Sequence, residues 1–276
     1  MQFDYLKMHG TGNRILVVDQ REESMQPPDS VTLRRLGSAA TGPGFDQLMW
    51  VTAAQHSGNI AAYRVFNADG SEVEQCGNGV RCVAAALARE ASVPREFTLE
   101  SPAGPVSAAI LDDGQVSISM GAPAFEPARI PFVADEEQLQ YSLEVDGQQF
   151  EVAVISMGNP HCVLKVEDVA EAAVEKLGPL IELHERFPER VNVGFMSIID
   201  RYSIALRVHE RGVGETLACG TGACAAVVAG QRLGLLDETV SVRLPGGQVV
   251  VSWRGEGDPV WLTGSAELIS EGTVQL

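Results

Sequence analysis

The 276-residue sequence lacks several features that would assign a protein to a class at once. No apolar run approaches the length that a helix needs to cross a bilayer, and no segment is of low complexity. Basic residues are few, with 20 Lys and Arg against 37 Asp and Glu and a formal net charge of -17. This deficit of positive charge argues against a nucleic acid or an anionic membrane surface as the partner.

Cysteine is scarce as well, and its count is odd. Five cysteines, in a chain whose start does not resemble a secretion signal, favour free thiols in a reducing cytosol. We therefore expect a cytoplasmic protein. Hydrophobic residues make up 45% of the chain and charged residues 21%, which is ordinary for a globular protein with enough apolar residues for two cores.

A near repetition around two cysteines is the most informative feature that is present. Residues 76–82 read Cys-Gly-Asn-Gly-Val-Arg-Cys, and residues 219–224 read Cys-Gly-Thr-Gly-Ala-Cys. Each phrase leads into an alanine-rich segment that favours a helix. At a helix start, unpaired N–H groups and the positive end of the helix dipole converge on the cysteine. We therefore expect two thiols of lowered pKa beside one bound anion, such as a carboxylate.

The repetition extends upstream of both cysteines. Polar residues recur there in the same order and at nearly equal spacing; the matching positions are Asn13 and Asn159, Gln47 and Asn192, Asn67 and Glu210, and Glu72 and Glu215. An internal repeat of this length implies two copies of one domain. Two copies related by a pseudo-dyad would bring the equivalent helix starts to a cleft between the domains, where small ligands commonly bind.

Hydrophobic periodicity predicts the elements of the fold. Strands are predicted at residues 48–52, 60–66, 97–100, 106–110, 116–120, 150–156, 162–166 and 198–208, and a hairpin at 240–253. Helices are predicted at residues 30–36, 79–90, 169–177 and 222–233, with Ser30 as an N-cap and Gly234 just after the last helix. Because strands and helices do not alternate regularly, we predict an α+β fold and not a doubly wound parallel sheet.

The two cysteine motifs resemble those of a known family. Residues 66–82 and 210–224 resemble the two signatures of diaminopimelate epimerases, and residues 7–13, 157–161 and 192–195 fit the same family. The resemblance covers essentially the whole chain. It implies two pseudo-symmetric domains, each a β-rich sheet or barrel wrapped around a central helix, with the active site in the cleft between them. We expect residues 1–120, completed by a strand at 266–276, to form one domain and residues 121–265 the other.

The resemblance also implies an activity. The family interconverts L,L- and meso-diaminopimelate without pyridoxal phosphate or metal, in lysine and peptidoglycan-precursor biosynthesis. It therefore implies an isomerase that needs no cofactor, acts on a small molecule and, by analogy, forms a homodimer. Inversion by proton transfer needs a base on one face of the α-carbon and an acid on the other, and a thiolate and a thiol can supply both. Two helix starts would stabilise the negative charge that develops at the carboxylate.

The roles of the family's residues carry over by position. Cys76 and Cys219 are the expected acid/base pair, with His161 and Glu210 as helpers beside the thiols. The positions expected to bind substrate are Asn13, Gln47, Asn67, Gly77, Asn78, Asn159, Asn192, Glu210, Arg211, Gly220 and Thr221. Arg211 would offer a fork to a carboxylate, and Glu210 an acceptor to an ammonium group. Two positions depart from the usual pattern, which has Asp at Arg14 and Arg at Ala39.

Other interpretations of these motifs stay open. A proline or hydroxyproline racemase uses a related two-cysteine fold, although Glu210 and Arg211 favour a longer substrate with a second charged end. A catalytically inactive, ligand-binding or thiol-redox relative is another alternative. The remaining cysteines, Cys82, Cys162 and Cys224, are expected to be small core residues. The spacing of the cysteines misses the usual zinc-ligand loops, and no Gly-Lys-Ser/Thr follows the second motif, as a Walker loop would require.

Overall fold

The computed structural model describes residues 2–23, 25–73 and 76–276, so Glu74 and Gln75 of the first cysteine motif lie outside the described residues. The helices are α1 (Ser30–Gly37), α2 (Gly77–Leu87), α3 (Val174–Glu182) and α4 (Gly220–Arg232), with a 3-10 turn at Pro127–Arg129. The strands are β1 (Gln2–Gly10), β2 (Asn13–Asp19), β3 (Gln47–Thr52), β4 (Ala61–Asn67), β5 (Glu72–Val73), β6 (Glu96–Ser101), β7 (Gly104–Ile110), β8 (Val116–Ser119), β9 (Tyr141–Val145), β10 (Gln148–Ser156), β11 (Pro160–Lys165), β12 (Asn192–Asp200), β13 (Ser203–Glu210), β14 (Gly214–Thr216), β15 (Thr239–Leu244), β16 (Gly247–Ser252), β17 (Trp261–Gly264) and β18 (Glu267–Gln275). Over the described ranges, no helix is long and apolar enough to cross a membrane.

The chain folds into two compact units, Met1–Ser119 with Thr263–Leu276, and Met120–Leu262. In the first unit, β1 pairs antiparallel with both β18 and β2, and β2 runs parallel to β3. Strand β4 pairs antiparallel with β3 and with the short β5, and it runs parallel to β6. An antiparallel run of β6, β7 and β8 completes the pairing. Helix α2 packs against strands from both ends of this series, so the strands curve around it.

The second unit repeats this arrangement. Strands β9, β10 and β11 are antiparallel, and β11 runs parallel to β12. Strand β13 pairs antiparallel with β12 and with the short β14, and it runs parallel to β15. Strand β15 in turn pairs antiparallel with β16. Helix α4 packs against β10 to β13 and β16. The same order of parallel and antiparallel steps in both units confirms the predicted α+β fold with a repeated half and a central helix.

The central helices are buried on nearly every side, which explains their small side chains. Cys82, Val83 and Ala84 of α2 have no exposed surface, and the same holds for residues 223–228 of α4. Small residues allow strands to approach the helix closely from several directions. A Cβ atom added at Gly79 would lie only 2.4 Å from Sδ of Met49 on β3. The alanine-rich composition therefore reflects central packing more than intrinsic helix preference.

The helix predicted at 169–177 and the strand predicted at 198–208 differ most from the structure. The helix predicted at 169–177 begins only at Val174 and runs to Glu182. Before it, the Asp168 side chain accepts a hydrogen bond from the Ala170 N–H at 2.9 Å and stabilises a turn. The single strand predicted at 198–208 is two strands, because Asp200 accepts a hydrogen bond from the Tyr202 N–H at 2.7 Å and turns the chain.

Both central helices also begin two residues before the predicted start, directly after the motif cysteines. The N-cap of α1 is Asp29, not Ser30, and its carboxylate accepts a hydrogen bond from the Thr32 N–H at 2.8 Å. The prediction for Gly234 is confirmed. It directly follows Leu233, the C-cap of α4, and has a φ of 71°.

Candidate active-site residues in each unit

Cys76 is the N-cap of α2. Its backbone is extended, with a φ of −146°, and its Sγ accepts a hydrogen bond from the Gly79 N–H at 3.4 Å. The thiol is half-buried, and Gly77 and Asn78, the first residues of the helix, are buried. The first N–H groups of a helix have no partner within the helix, so this helix start offers donors to an anion.

Arg81, one turn into α2, links the helix start to the β1–β2 turn. Its guanidinium group has no exposed surface, and Nη2 donates to Oδ1 of Asn78 and to Oγ1 of Thr11, both at 2.9 Å. Thr11 lies two residues before Asn13 and has a φ of 55°. The buried cation therefore fixes two segments that carry predicted substrate-binding residues.

The amide residues of the first unit lie on neighbouring strands. Gln47 begins β3 and is directly opposite Asn67 at the end of β4. Nε2 of Gln47 donates to Oδ1 of Asn67 at 3.0 Å, and Nδ2 of Asn67 donates to Oγ of Ser71 at 3.0 Å. Asn13, at the start of β2, pairs across the ladder with Gly10. The end of β4 thus carries an ordered pair of amides.

In the second unit, Cys219 is the N-cap of α4 and heads a chain of polar contacts. Its Sγ lies 3.5 Å from Oγ1 of Thr221, and Nδ2 of Asn159 donates to that same oxygen at 3.3 Å. Nε2 of His161 lies 3.0 Å from Oδ1 of Asn159. Because an amide oxygen can only accept, Nε2 of His161 carries the proton. Four residues predicted from the sequence are therefore brought together in one network.

A second cluster in the same unit holds the other predicted residues. Asn192 donates to the Pro160 carbonyl at 2.9 Å and accepts from the Arg211 N–H at 2.9 Å. The carboxylate of Glu210 accepts from Oγ1 of Thr216 at 2.6 Å. Since His161 lies opposite Asn192 in the β11–β12 register, the two clusters share neighbouring strands.

The expected lowering of the thiol pKa is wrong for Cys219. Burial raises the pKa of this thiol well above its ordinary value, and the nearby charge of Glu210 raises it further. Hydrogen bonds from Thr221 and from the Gly222 N–H act in the opposite direction. Because only 4% of Cys219 is exposed, the loss of hydration outweighs the helix start, and the resting side chain is a neutral thiol.

Burial also sets the protonation of His161 and of the core cysteines. The pKa of His161 is lowered to about 3 by burial and, secondarily, by the charge of Arg211. The imidazole is therefore neutral at physiological pH and acts as a hydrogen-bonding group. Burial raises the pKa of Cys82 to about 12 and raises that of Cys162 as well. With Cys224, these cysteines have no exposed surface, which confirms the prediction that they are core residues.

The repeated glutamates before the motif cysteines form ion pairs. Arg64 contacts Glu72 through Nε and Nη2, both at 2.7 Å, and Arg207 contacts Glu215 through Nε at 2.6 Å and Nη2 at 2.8 Å. Each pair ties a long strand to the short strand that leads to the cysteine. The recurrence of these glutamates is explained by this structural role in both units.

The two departures from the family pattern have local partners. Arg14 pairs with Asp46, with 2.6 Å between Nη2 and Oδ1, beside Gln47 in the sequence. A Cβ atom added at Gly44 would lie 2.8 Å from Cβ of Ala39, so the loop is tightly packed there.

Sequence reasoning missed Arg81 and Thr216, although each carried a signal. A cation among the apolar residues of a central helix must be buried with partners, and Thr216 lies six residues after Glu210 across a short hairpin. Among the residues that the structure describes, no three His, Cys, Asp or Glu side chains form a group that could hold a metal ion.

Comparisons with known proteins agree with this picture. The sequence model described as diaminopimelate epimerase matches residues 5–126 and 153–269. Proteins named diaminopimelate epimerase from Stutzerimonas stutzeri and Nitrosomonas europaea are 50% and 49% identical to the chain, each over the full length of both chains.

Solved structures with the same fold are more distant in sequence. A hydroxyproline epimerase from Agrobacterium vitis matches with a TM-score of 0.71 at 17% identity, covering 99% of this chain and 92% of the other. A PhzF-family phenazine biosynthesis protein from Bacillus anthracis matches with a TM-score of 0.69 at 15% identity, over all of both chains. At these identities the likeness shows the fold alone.

The family match and the full-length relatives define the class of the protein as an isomerase. More narrowly, the chain belongs to the diaminopimelate epimerase family, as the full-length relatives and the family match show. Its activity is that of an epimerase.

Proposed function

We propose that the protein interconverts L,L- and meso-diaminopimelate by two-base proton transfer at one α-carbon. A thiolate at Cys76 removes the α-proton from one face, and the thiol of Cys219 delivers its proton to the opposite face. The C–H bond breaks as an S–H bond forms on Cys76, and a new C–H bond forms as Cys219 becomes the thiolate. The reverse reaction uses the two sulfurs in exchanged roles, and solvent exchange restores the starting state.

The observation that carries the proposal is the matched position of the two cysteines. Each is the N-cap of the central helix in its own unit, and each precedes a Gly-x-Gly that begins that helix. N–H groups at such a start stabilise the negative charge that grows on the substrate carboxylate as the α-proton leaves. The neutral state of Cys219 supports its role as the acid toward a carbanion formed by the other thiol.

The polar clusters supply the proposed binding groups. We assign the non-reacting end of the substrate to Arg211, whose planar guanidinium can pair with a carboxylate through two hydrogen bonds. Glu210, fixed by Thr216, accepts from an ammonium group. The amides of Asn13, Asn67 and Asn159 provide further donors and acceptors. Neutral His161 holds Asn159 and keeps its Nδ2 directed at Thr221.

Single thiol variants test the proposal. Cys76→Ala and Cys219→Ala should each lower the rate of diaminopimelate epimerisation by about 10²–10⁴-fold or more, because neither sulfur serves the other face. Cys162→Ala is the matched control, a buried cysteine in the hydrophobic core of the second unit, and it should turn over substrate. Circular dichroism would confirm that the variants fold. Near-normal turnover by either motif variant would contradict the two-base assignment.

Substrate choice is tested with competing amino acids. In D₂O, the enzyme should place deuterium at one α-carbon of diaminopimelate and none in trans-4-hydroxy-L-proline. Uptake into the imino acid alone would favour the racemase alternative, and uptake into neither would favour an inactive relative. We also propose, from family membership, a cytoplasmic homodimer that serves lysine and peptidoglycan-precursor biosynthesis. Complementation of a diaminopimelate-requiring bacterial strain tests the pathway, and light scattering tests the dimer.

A further inference from the structure

A buried carboxylate holds the turn that presents Arg211 and Glu210. Glu182 is the last residue of α3, and 6% of it is exposed. Its Oε2 lies 2.8 Å from Nε2 of His209, and its Oε1 accepts a hydrogen bond from the Gly212 N–H at 2.9 Å. The two carboxylate oxygens of Glu182 thus bind His209 and Gly212, which lie immediately before and after the Glu210–Arg211 pair.

Helix α3 is shaped to allow this contact. A Cβ atom added at Gly178 would lie 2.6 Å from Cγ of His209, so only glycine lets the imidazole lie against the helix at this position. His209 is itself 7% exposed, which places both members of the pair in the interior. Nη1 of Arg190 lies 3.6 Å from Oε1 of Glu182 and partly balances its charge.

The turn depends on these bonds because its backbone is unusual. Gly212 and Gly214 have φ values of 73° and 101°, in a region that glycine enters freely and that residues with a side chain rarely adopt. Its tip is exposed, with Val213 75% accessible. The Arg211 N–H is held by Asn192 and the Gly212 N–H by Glu182, so two side chains fix successive backbone donors.

We propose that Glu182, with His209, is a positioning residue that sets the location of Arg211 and Glu210 for substrate binding. A buried carboxylate costs stability unless it is fully paired, and an apolar residue would pack a helix end at lower cost. The Glu182 carboxylate contacts both ends of residues 209–212, and holding this stretch in place is a reason for a charged residue here. The inference rests on the proposed function, in which Arg211 and Glu210 contact substrate.

Hydrogen exchange tests the structural half of the inference, independently of activity. In Glu182→Ala, the amides of residues 210–213 should exchange at least about tenfold faster than in the wild type, since an acceptor worth about 1.4 kcal/mol or more is lost. Glu175→Ala is the matched control, an exposed glutamate on the same helix, and should not change this segment. Unchanged exchange in Glu182→Ala would overturn the inference.

Kinetics test the functional half. Glu182→Ala should raise the KM for diaminopimelate about tenfold, whereas in an Arg211→Ala background the same change should raise it less than about twofold. A purely structural role predicts the same factor in both backgrounds, and that result would overturn the inference. Glu182→Gln should have a KM close to that of the wild type. The glutamine side-chain oxygen can accept from the Gly212 N–H, and its NH₂ group can donate to Nε2 of His209 in the tautomer that carries the proton on Nδ1.

A variant that does not fold, or a wild-type enzyme that is inactive on diaminopimelate, still leaves the role of Glu182 testable. If Glu182→Ala does not melt cooperatively, His209→Leu, which removes one of the two contacts, replaces it in both measurements with the same expectations. If the wild-type enzyme does not epimerise diaminopimelate, the proposed function fails, and the exchange rates alone decide whether Glu182 holds the turn.

Discussion

His161 and Cys219 are both titratable, and both lie within one network of the second unit while being almost completely buried. For each, the loss of hydration favours the neutral form, which is the thiol for Cys219 and the imidazole for His161. The network therefore rests without charge on either group. Under the proposed mechanism, charge enters the network when Cys219 gives up its proton.

The pH dependence of stability should report the buried histidine. The folded-state pKa of His161, about 3, lies below the ordinary value of 6.5 in the unfolded chain. The unfolded chain therefore takes up the proton first, and stability falls as pH decreases from about 6.5 towards 3. At pH 5 this group should cost about 2 kcal/mol of unfolding free energy relative to pH 7.

Urea unfolding of wild type and His161→Asn at pH 5 and pH 7 measures this effect. The variant should lose less stability on acidification than the wild type, by about that same 2 kcal/mol. Equal losses in the two proteins would show that His161 is protonated in the folded state.

Arg211 is expected to bind through its planar fork, so its geometry matters beyond its charge. Arg211→Lys keeps the charge but loses the paired hydrogen bonds, and binding should weaken by about 1.5–3 kcal/mol. Inhibition constants or KM values for diaminopimelate measure this change. Arg254→Lys, at an exposed position of the same unit, is the control and should bind normally. An unchanged affinity in Arg211→Lys would place its side chain outside the site.

At the scale of elements, the glycines of the cysteine motifs have a packing role in addition to any role at the site. Gly79→Ala should destabilise the first unit, because its new Cβ would lie 2.4 Å from Sδ of the fully buried Met49. Overpacking costs about 1–3 kcal/mol, against a helix gain of about 1 kcal/mol for alanine.

Thermal unfolding of Gly79→Ala, Met49→Ala and the double variant measures the contact directly. The double variant should be more stable than the sum of the single changes predicts, because removing the methionine side chain relieves the clash. Strict additivity would mean that the helix start and β3 do not pack as described.

Most elements follow from local signals in the sequence. Alternating apolar residues located β3, β4 and β6 to within a residue or two at each end, and Gly234 marked the end of α4 correctly. The largest errors in bounds occurred where a side chain bonds to nearby backbone, as at Asp168 and Asp200, because periodicity does not register such turns. The later start of α3, which continues through Pro179, also depends on packing against the sheet.

The internal repeat in the sequence made part of the candidate site predictable. Matching the two halves identified the helix-start cysteines and the polar positions before them. The protonation of Cys219 was not predictable, because it depends on how completely the folded second unit covers the thiol. Glu182 and His209 were missed for a similar reason, since their contact joins α3 to a distant hairpin.

At the scale of the whole molecule, one duplicated unit supports a reaction that has two nearly equivalent directions. The proposed two-base mechanism needs an acid and a base at a single carbon, and each unit carries one cysteine at the start of its central helix. The settings are not identical, because the first helix carries the buried Arg81 where the second has Cys224. The repeat therefore keeps the cysteine at the helix start in both units, while the residue five positions after it differs between them.

Early deuterium incorporation in D₂O tests the two-base account most directly. With L,L-diaminopimelate as substrate and conversion kept low, the product should carry one deuterium at the inverted carbon while recovered substrate stays unlabelled. The same pattern should hold from meso-diaminopimelate. This follows because one sulfur takes the substrate proton and the other delivers a solvent-derived deuteron. Product that retains the original proton, in either direction, would show that a single base serves both faces and would contradict the account.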